Sequence, residues 1–173
     1  MNMDSLSNIT RQFKLINYWY LAALENIKDE DGSTVVTGQT NSLEWIAGHL
    51  ITGRYRNLVR LGLQIEPYPH LDKFINQTLP PPNAIAFNND IKYPSLSSSR
   101  EQWMNYSAVL LDCLNRMDEK TLKKELSFNV PIGGNTIEDS ELFAIMHETY
   151  HIGQMSIIRK SLGYNAMVLF RKN

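Results

Sequence analysis

Apolar residues recur at three- and four-residue steps in four stretches of this 173-residue chain, and six of its seven prolines fall in the 36 residues from Gly62 to Ser97, between the second stretch and the third. A period near 3.6 builds helices with one buried face, whereas proline removes a backbone donor and ends them, so the chain reads as helices around one long excursion. The first stretch, from about Leu6 to Lys28, places Ile9, Phe13, Ile16, Tyr20, Ala23, Leu24 and Ile27 on one face before the turn chemistry of Asp29-Glu30-Asp31-Gly32-Ser33. The second runs from about Ser42 to Leu61 and closes at Gly62; Asn41 and Glu44 resemble a capping box, and Leu43, Ile46, Ala47 and Leu50 form its stripe. Within 62–97 only a short helix near Leu71 to Gln77 is predicted, and a loop of that length in a compact domain is commonly functional or disordered. The third helix starts at Ser97 or Ser98, with Glu101 three residues after Ser98, and is predicted to bury Trp103, Tyr106, Val109, Leu110, Cys113, Leu114 and Met117. Between Thr121 and Thr136 a brief alternation leads into Gly133-Gly134-Asn135, as in a small hairpin. The last helix opens with Thr136 as N-cap and Asp139 at N3, and stops at Gly163 after Arg159 and Lys160. The expected fold is all-α: a four-helix bundle with a long Pro-rich loop between helices two and three and a small hairpin before helix four, in a single domain over residues 1–173.

The last helix carries His147 and His151 in Met146-His147-Glu148-Thr149-Tyr150-His151-Ile152-Gly153-Gln154. Four-residue spacing on a helix points both imidazoles the same way, so they can share one metal ion. The string also reads H-E-x-x-H, the zinc-protease signature in which Glu148 would act as general base. Such proteases usually draw a third ligand from downstream, yet Ile152 to Asn173 contains no Glu, Asp or His. A third ligand therefore comes from upstream, where only His49 and His70 remain. His49 lies on the second helix at the margin of its buried face, where a hydrogen-bonded core histidine is the competing reading. His70 lies in a loop between Pro67, Pro69 and the Pro80-Pro81-Pro82 run. Packing of two helices can bring one histidine to an i, i+4 pair, giving three neutral nitrogen ligands with coordination positions left open. Such a site lowers the pKa of a bound water to about 7 and deprotonates a bound thiol. Around it, Trp45 one turn before His49, and Tyr150 and Gln154 on the histidine face of the last helix, are candidate substrate-binding residues. Glu148 is the candidate catalytic proton carrier, set about 100° round the helix from His147.

The formal charge of -1, with Lys and Arg dispersed, supplies no basic field for nucleic acid or an anionic membrane. No apolar run approaches a membrane span and Met1 to Asn8 lack a leader's apolar region, so a cytoplasmic protein is expected. Cys113 is the sole cysteine and is predicted to be a buried, inert thiol, which excludes internal disulfides and cysteine-based metal clusters.

Trp45-Ile46-Ala47-Gly48-His49-Leu50 and His147-Glu148-Thr149-Tyr150-His151-Ile152-Gly153-Gln154, with Arg159 through Gly163, resemble the helix-two and helix-four signatures of the DinB/YfiT-like superfamily of bacterial four-helix-bundle metalloproteins. The resemblance implies His49, His147 and His151 as ligands of a divalent transition metal, zinc or nickel, and a homodimer as the assembly. It implies metal-dependent hydrolysis, or transfer of a low-molecular-weight thiol such as bacillithiol, acting on a small-molecule substrate. The alternative is a non-catalytic metal- or ligand-binding stress-response protein using the same site.

Overall fold

The structure is a computed structural model describing residues 5–38, 40–78 and 83–170. The Pro80-Pro81-Pro82 run and residues 1–4 at the N-terminus lie outside that description. Four long helices carry the fold, α1 (Ser5–Leu24), α2 (Leu43–Arg60), α3 (Leu96–Arg116) and α5 (Ile137–Ser161), with a single-turn α4 (Glu119–Leu122) before the last.

Local chemistry sets the helix ends. Asn26 takes a left-handed φ of 59°, so α1 stops at Leu24 rather than continuing to Lys28, and Asp29–Asp31 form a 3-10 turn. Ser42, not Asn41, caps α2, its Oγ accepting from the Trp45 N–H at 3.2 Å. Ser95 caps α3 by accepting from the Ser98 N–H, which starts that helix at Leu96. Thr136 and Asp139, the predicted N-cap and N3 residues, form a reciprocal box on α5: Asp139 N donates to Thr136 Oγ1 at 3.1 Å, and Thr136 N donates to Asp139 Oδ2 at 2.9 Å. At the other end Gly163 adopts φ +88°, the left-handed cap that glycine takes without steric cost.

The loops differ more from expectation. No helix reaches Gln77: a 3-10 turn at Leu71–Lys73 gives way to β1 (Ile75–Asn76), which pairs antiparallel with β2 (Asn83–Ala84). Asn76 Oδ1 accepts from the Thr78 N–H at 3.0 Å, a local bond that competes with helix continuation. Where a hairpin was expected before α5, Glu125 and Thr136 form an antiparallel bridge, Ile137 N donates to Lys124 O at 3.0 Å, Leu126 N donates to Asn135 O at 2.5 Å, and Val130 N donates to Gly134 O at 3.0 Å across the turn. On α3, Trp103, Tyr106, Leu110 and Leu114 are buried, but Val109 is exposed, Cys113 half-buried and Met117 only partly covered. The predicted stripe is wider than the face that two neighbouring helices can cover.

α1 and α2 each pack against α3 and α5, so helices consecutive in sequence, α1 and α2, stand diagonally across the bundle. Arg100 at the start of α3 donates to Ile27 O at 3.0 Å, and Arg159 near the end of α5 donates to Ala23 O at 3.3 Å. Both contacts are at the C-terminal end of α1, which makes α1 parallel to α5 and antiparallel to α3; the arginines satisfy carbonyls that a helix end leaves unpaired. Arg60, at the end of α2, donates to Ser140 Oγ at the start of α5, so these two helices run antiparallel. Among the described residues no helix is long and apolar enough to cross a membrane.

Candidate metal centre

The antiparallel pairing of α2 and α5 brings His49 onto His147 and His151. His49 Nε2 lies 3.1 Å from His147 Nε2, and one ligand atom from each of the three histidines lies within 4.8 Å of the others. His70 takes no part; it precedes the 3-10 turn and its ring meets Tyr68 edge-on at 5.6 Å. The upstream partner of the i, i+4 pair is thus His49.

Neighbouring side chains fix the rings. Trp45 stacks on His49 with centroids 4.9 Å apart and planes 6° from parallel. His151 Nδ1 donates to Gln154 Oε1 at 2.8 Å, and Gln154 Nε2 donates to the Tyr150 hydroxyl at 3.0 Å. That bond leaves the lone pair of His151 on Nε2, the arrangement in which metal-binding histidines are usually held. Tyr150 itself is 64% exposed and stands at the rim. Burial disfavours the protonated form of all three imidazoles. Burial, then the imidazoles of His147 and His151, then Arg56 push His49 down to about 3. Burial and His151 push His147 down to about 4, and burial lowers His151 against the opposing bond from Gln154.

Glu148 lies beneath the histidines in an ion pair. Both carboxylate oxygens accept from Arg54, Nε to Oε1 at 2.9 Å and Nη2 to Oε2 at 2.6 Å. The Arg54 side chain is fully buried; it also donates to Asn17 Oδ1 and Ser107 Oγ and lies 4.0 Å from the Trp103 ring centroid. Every long helix thus meets at one guanidinium, and the oxygens a general base would use are engaged. Two turns earlier, buried Glu141 receives a bond from Asn57 Nδ2 at 2.8 Å while its other oxygen has no partner among the described residues. Burial, opposed by that bond, pushes Glu141 up to about 7.

Beside His49 and His147 opens a cavity of about 210 Å³ between α2 and α5, reached by Thr52, Arg56 and Arg60 from one wall and Phe143 from the other. Phe74 and Ile75 bring the long loop over it. The Phe74 ring rests on the backbone of α2 at Gly48: a Cβ there would lie 2.7 Å from both Cε1 and Cε2 of the ring, and nearer still to Cζ. Arg54, Arg56, Arg60 and Thr52 were not singled out by the sequence reading. The signal was present, because Thr52, Arg56 and Arg60 follow His49 by three, seven and eleven residues, which is one helix face.

A sequence model of the DinB superfamily matches residues 18–155. Among solved structures, YfiT from Bacillus subtilis, described as a probable metal-dependent hydrolase with an unusual four-helix bundle topology, aligns over 95% of this chain and 91% of its own, with a TM-score of 0.66 at 14% identity. A conserved protein from Enterococcus faecalis aligns over 94% of this chain and 99% of its own, with a TM-score of 0.62 at 13% identity. No curated protein matches the sequence.

Proposed function

The chain belongs to the DinB superfamily, and from that premise we propose that it is a metal-dependent hydrolase of small molecules whose divalent ion is held by His49, His147 and His151. The carrying observation is the convergence of three imidazoles, two of which, His49 and His147, line a cavity. Two nitrogens about 2.1 Å from one tetrahedral ion stand roughly 3.4 Å apart. The 3.1 Å between His49 Nε2 and His147 Nε2 fits that, and the widest separation of 4.8 Å closes by less than about 2 Å. Nitrogen donors without thiolate or carboxylate suit zinc or nickel. Bound there, the ion supplies Lewis acidity to a substrate carbonyl and to the attacking water.

The chain's own residues do the rest. Gln154 and Tyr150 orient His151, and Trp45 fixes the plane of His49 and shields it from water. Glu148, bound by Arg54, holds α5 in register with α2 and is a positioning residue. The substrate lies in the cavity against Phe143 and Phe74. Hydrolysis breaks an acyl–heteroatom bond, with hydroxide going to the acyl carbon and a proton to the leaving group. A cavity of about 210 Å³ accommodates one small reactant. This favours water as the second reactant over a bacillithiol-type thiol, which would need space for two larger molecules.

The proposal extends to a cytoplasmic homodimer formed through α5, where Leu142, Met146, Tyr150 and Ile157 stand exposed along one face of an otherwise packed helix. Elemental analysis of protein purified without chelator should give about one equivalent of zinc or nickel per chain. His49→Ala should lose it with helicity unchanged, and ester or amide cleavage should disappear with the metal. Protein that cannot be loaded, or His49→Ala protein that keeps its ion, refutes the assignment.

A further inference from the structure

We propose that the cavity beside the histidines selects substrates carrying an oxyanion, a carboxylate or phosphate, which Arg56 and Arg60 hold at the end away from the reacting bond, with Thr52 on the wall between them and His49. Which end reacts rests on the metal-enzyme reading; the anion subsite itself does not. From His49 to Arg56 is seven residues of α2, on the order of 10 Å of helix rise, and Arg60 lies one turn beyond.

On this wall Arg56 lacks a protein counter-ion among the described residues, whereas the buried carboxyl of Glu141 acts on Arg60. Glu148 is the acidic residue on the cavity lining, and both its oxygens are taken by Arg54. Arg56 makes no ion pair among the described residues, and Arg60 donates to the neutral Ser140 and Asn57. Two arginines four residues apart on a helix repel each other, an arrangement that an anion between them relieves. A second, independent observation points the same way. Thr52, only 3% exposed, lines the cavity with a buried hydroxyl that has no partner among the described residues. Buried hydroxyls are nearly always paired, and an acceptor oxygen of a ligand in the cavity would pair this one.

Apart from Asn57, which is bonded to Glu141 and Arg60, the remaining side chains of the lining are apolar, Phe74, Ile75, Phe143 and Ala144 among them. The fitting ligand has a short apolar body between an oxyanion and the group presented to the histidines. The cavity admits on the order of ten non-hydrogen atoms of it.

The test is calorimetric titration of the full chain with 3-phenylpropionate, phenylphosphonate and the neutral 3-phenylpropionamide, metal-free and zinc-loaded, at fixed ionic strength. Both anions should bind the metal-free protein at least about tenfold more tightly than the amide. Arg56→Gln should remove most of that preference while leaving metal content and melting temperature unchanged, since Arg56 makes no ion pair among the described residues and glutamine keeps most of its side-chain stem. His49→Ala should retain the preference, so failure of the metal assignment leaves the subsite standing. A stronger response to the phosphonate identifies phosphate esters as the substrate class, and the reverse identifies carboxylates. Equal binding of amide and anions, or anion binding that needs the metal and survives Arg56→Gln, overturns the proposal.

Discussion

Replacing Gly48 by alanine tests how the long loop is fastened over the cavity. The added methyl would lie 2.7 Å from Phe74 Cε1 and Cε2, about 0.8 Å inside ordinary carbon contact at each. Neither partner can yield easily: the Cβ is fixed by the backbone of α2, and the Phe74 ring is fully buried, within 6.1 Å of Tyr68 and 5.5 Å of Tyr93. Overpacking of this kind costs about 1–3 kcal/mol, and a clash spread over three ring atoms belongs near the top of that range. Alanine recovers up to about 1 kcal/mol of helix propensity relative to glycine. The expected net loss is therefore about 1–2 kcal/mol, read as a lower urea midpoint at unchanged slope. Phe74→Leu alone should also destabilise, but the double variant should be less destabilised than the sum of the two, because the smaller side chain relieves the clash. A Gly48→Ala protein within about 0.3 kcal/mol of wild type, or strictly additive variants, would refute the docking of Phe74 on α2.

Two further outcomes follow from the buried charges. Glu148→Gln leaves Arg54 without its counter-ion in a fully buried position, so it should cost about 3–5 kcal/mol of stability; an equally stable but inactive variant would instead make Glu148 the general base of the H-E-x-x-H reading. In the metal-free protein His49 and His147 accept a proton only near 3 and 4, against 6.5 for a free imidazole. The unfolded chain thus binds more protons in between, and their contribution to stability falls as pH drops from about 6.5 toward 4. Glu141, raised from 4.5 to about 7, acts in the opposite sense, its contribution falling as pH rises through that window. Urea midpoints at pH 7 and 5 in a Glu141→Gln background should therefore show the histidine effect alone, and His49→Ala should flatten it; an unchanged slope in that variant would contradict burial of a neutral His49.

What could be read from the linear chain is what depends on residues a few positions apart. The Thr136–Asp139 box, the left-handed stop at Gly163 and the shared face of His147 and His151 were all legible, because each is decided within about a turn of helix. His49 was legible as a helical residue, and its place beside the pair was implied by family resemblance. The three ends read less accurately, at Lys28, Asn41 and Ser98, were ones where another nearby residue, Asn26, Ser42 or Ser95, supplied the cap.

Tertiary structure alone decided the rest. The diagonal placement of α1 and α2 depends on which apolar faces meet, and four similar stripes do not declare their partners. Glu148 follows the candidate ligand His147 in sequence, yet its environment is set by Arg54, 94 residues away, and the enclosing Trp103. The excursion from Gly62 to Ser97 reads as an irregular loop because its prolines are local, whereas its role as a cover comes from one contact of Phe74 with Gly48. Caps and periodicity are local energies and are written in the sequence; burial, charge pairing and cavities belong to surfaces that exist only once the helices have packed.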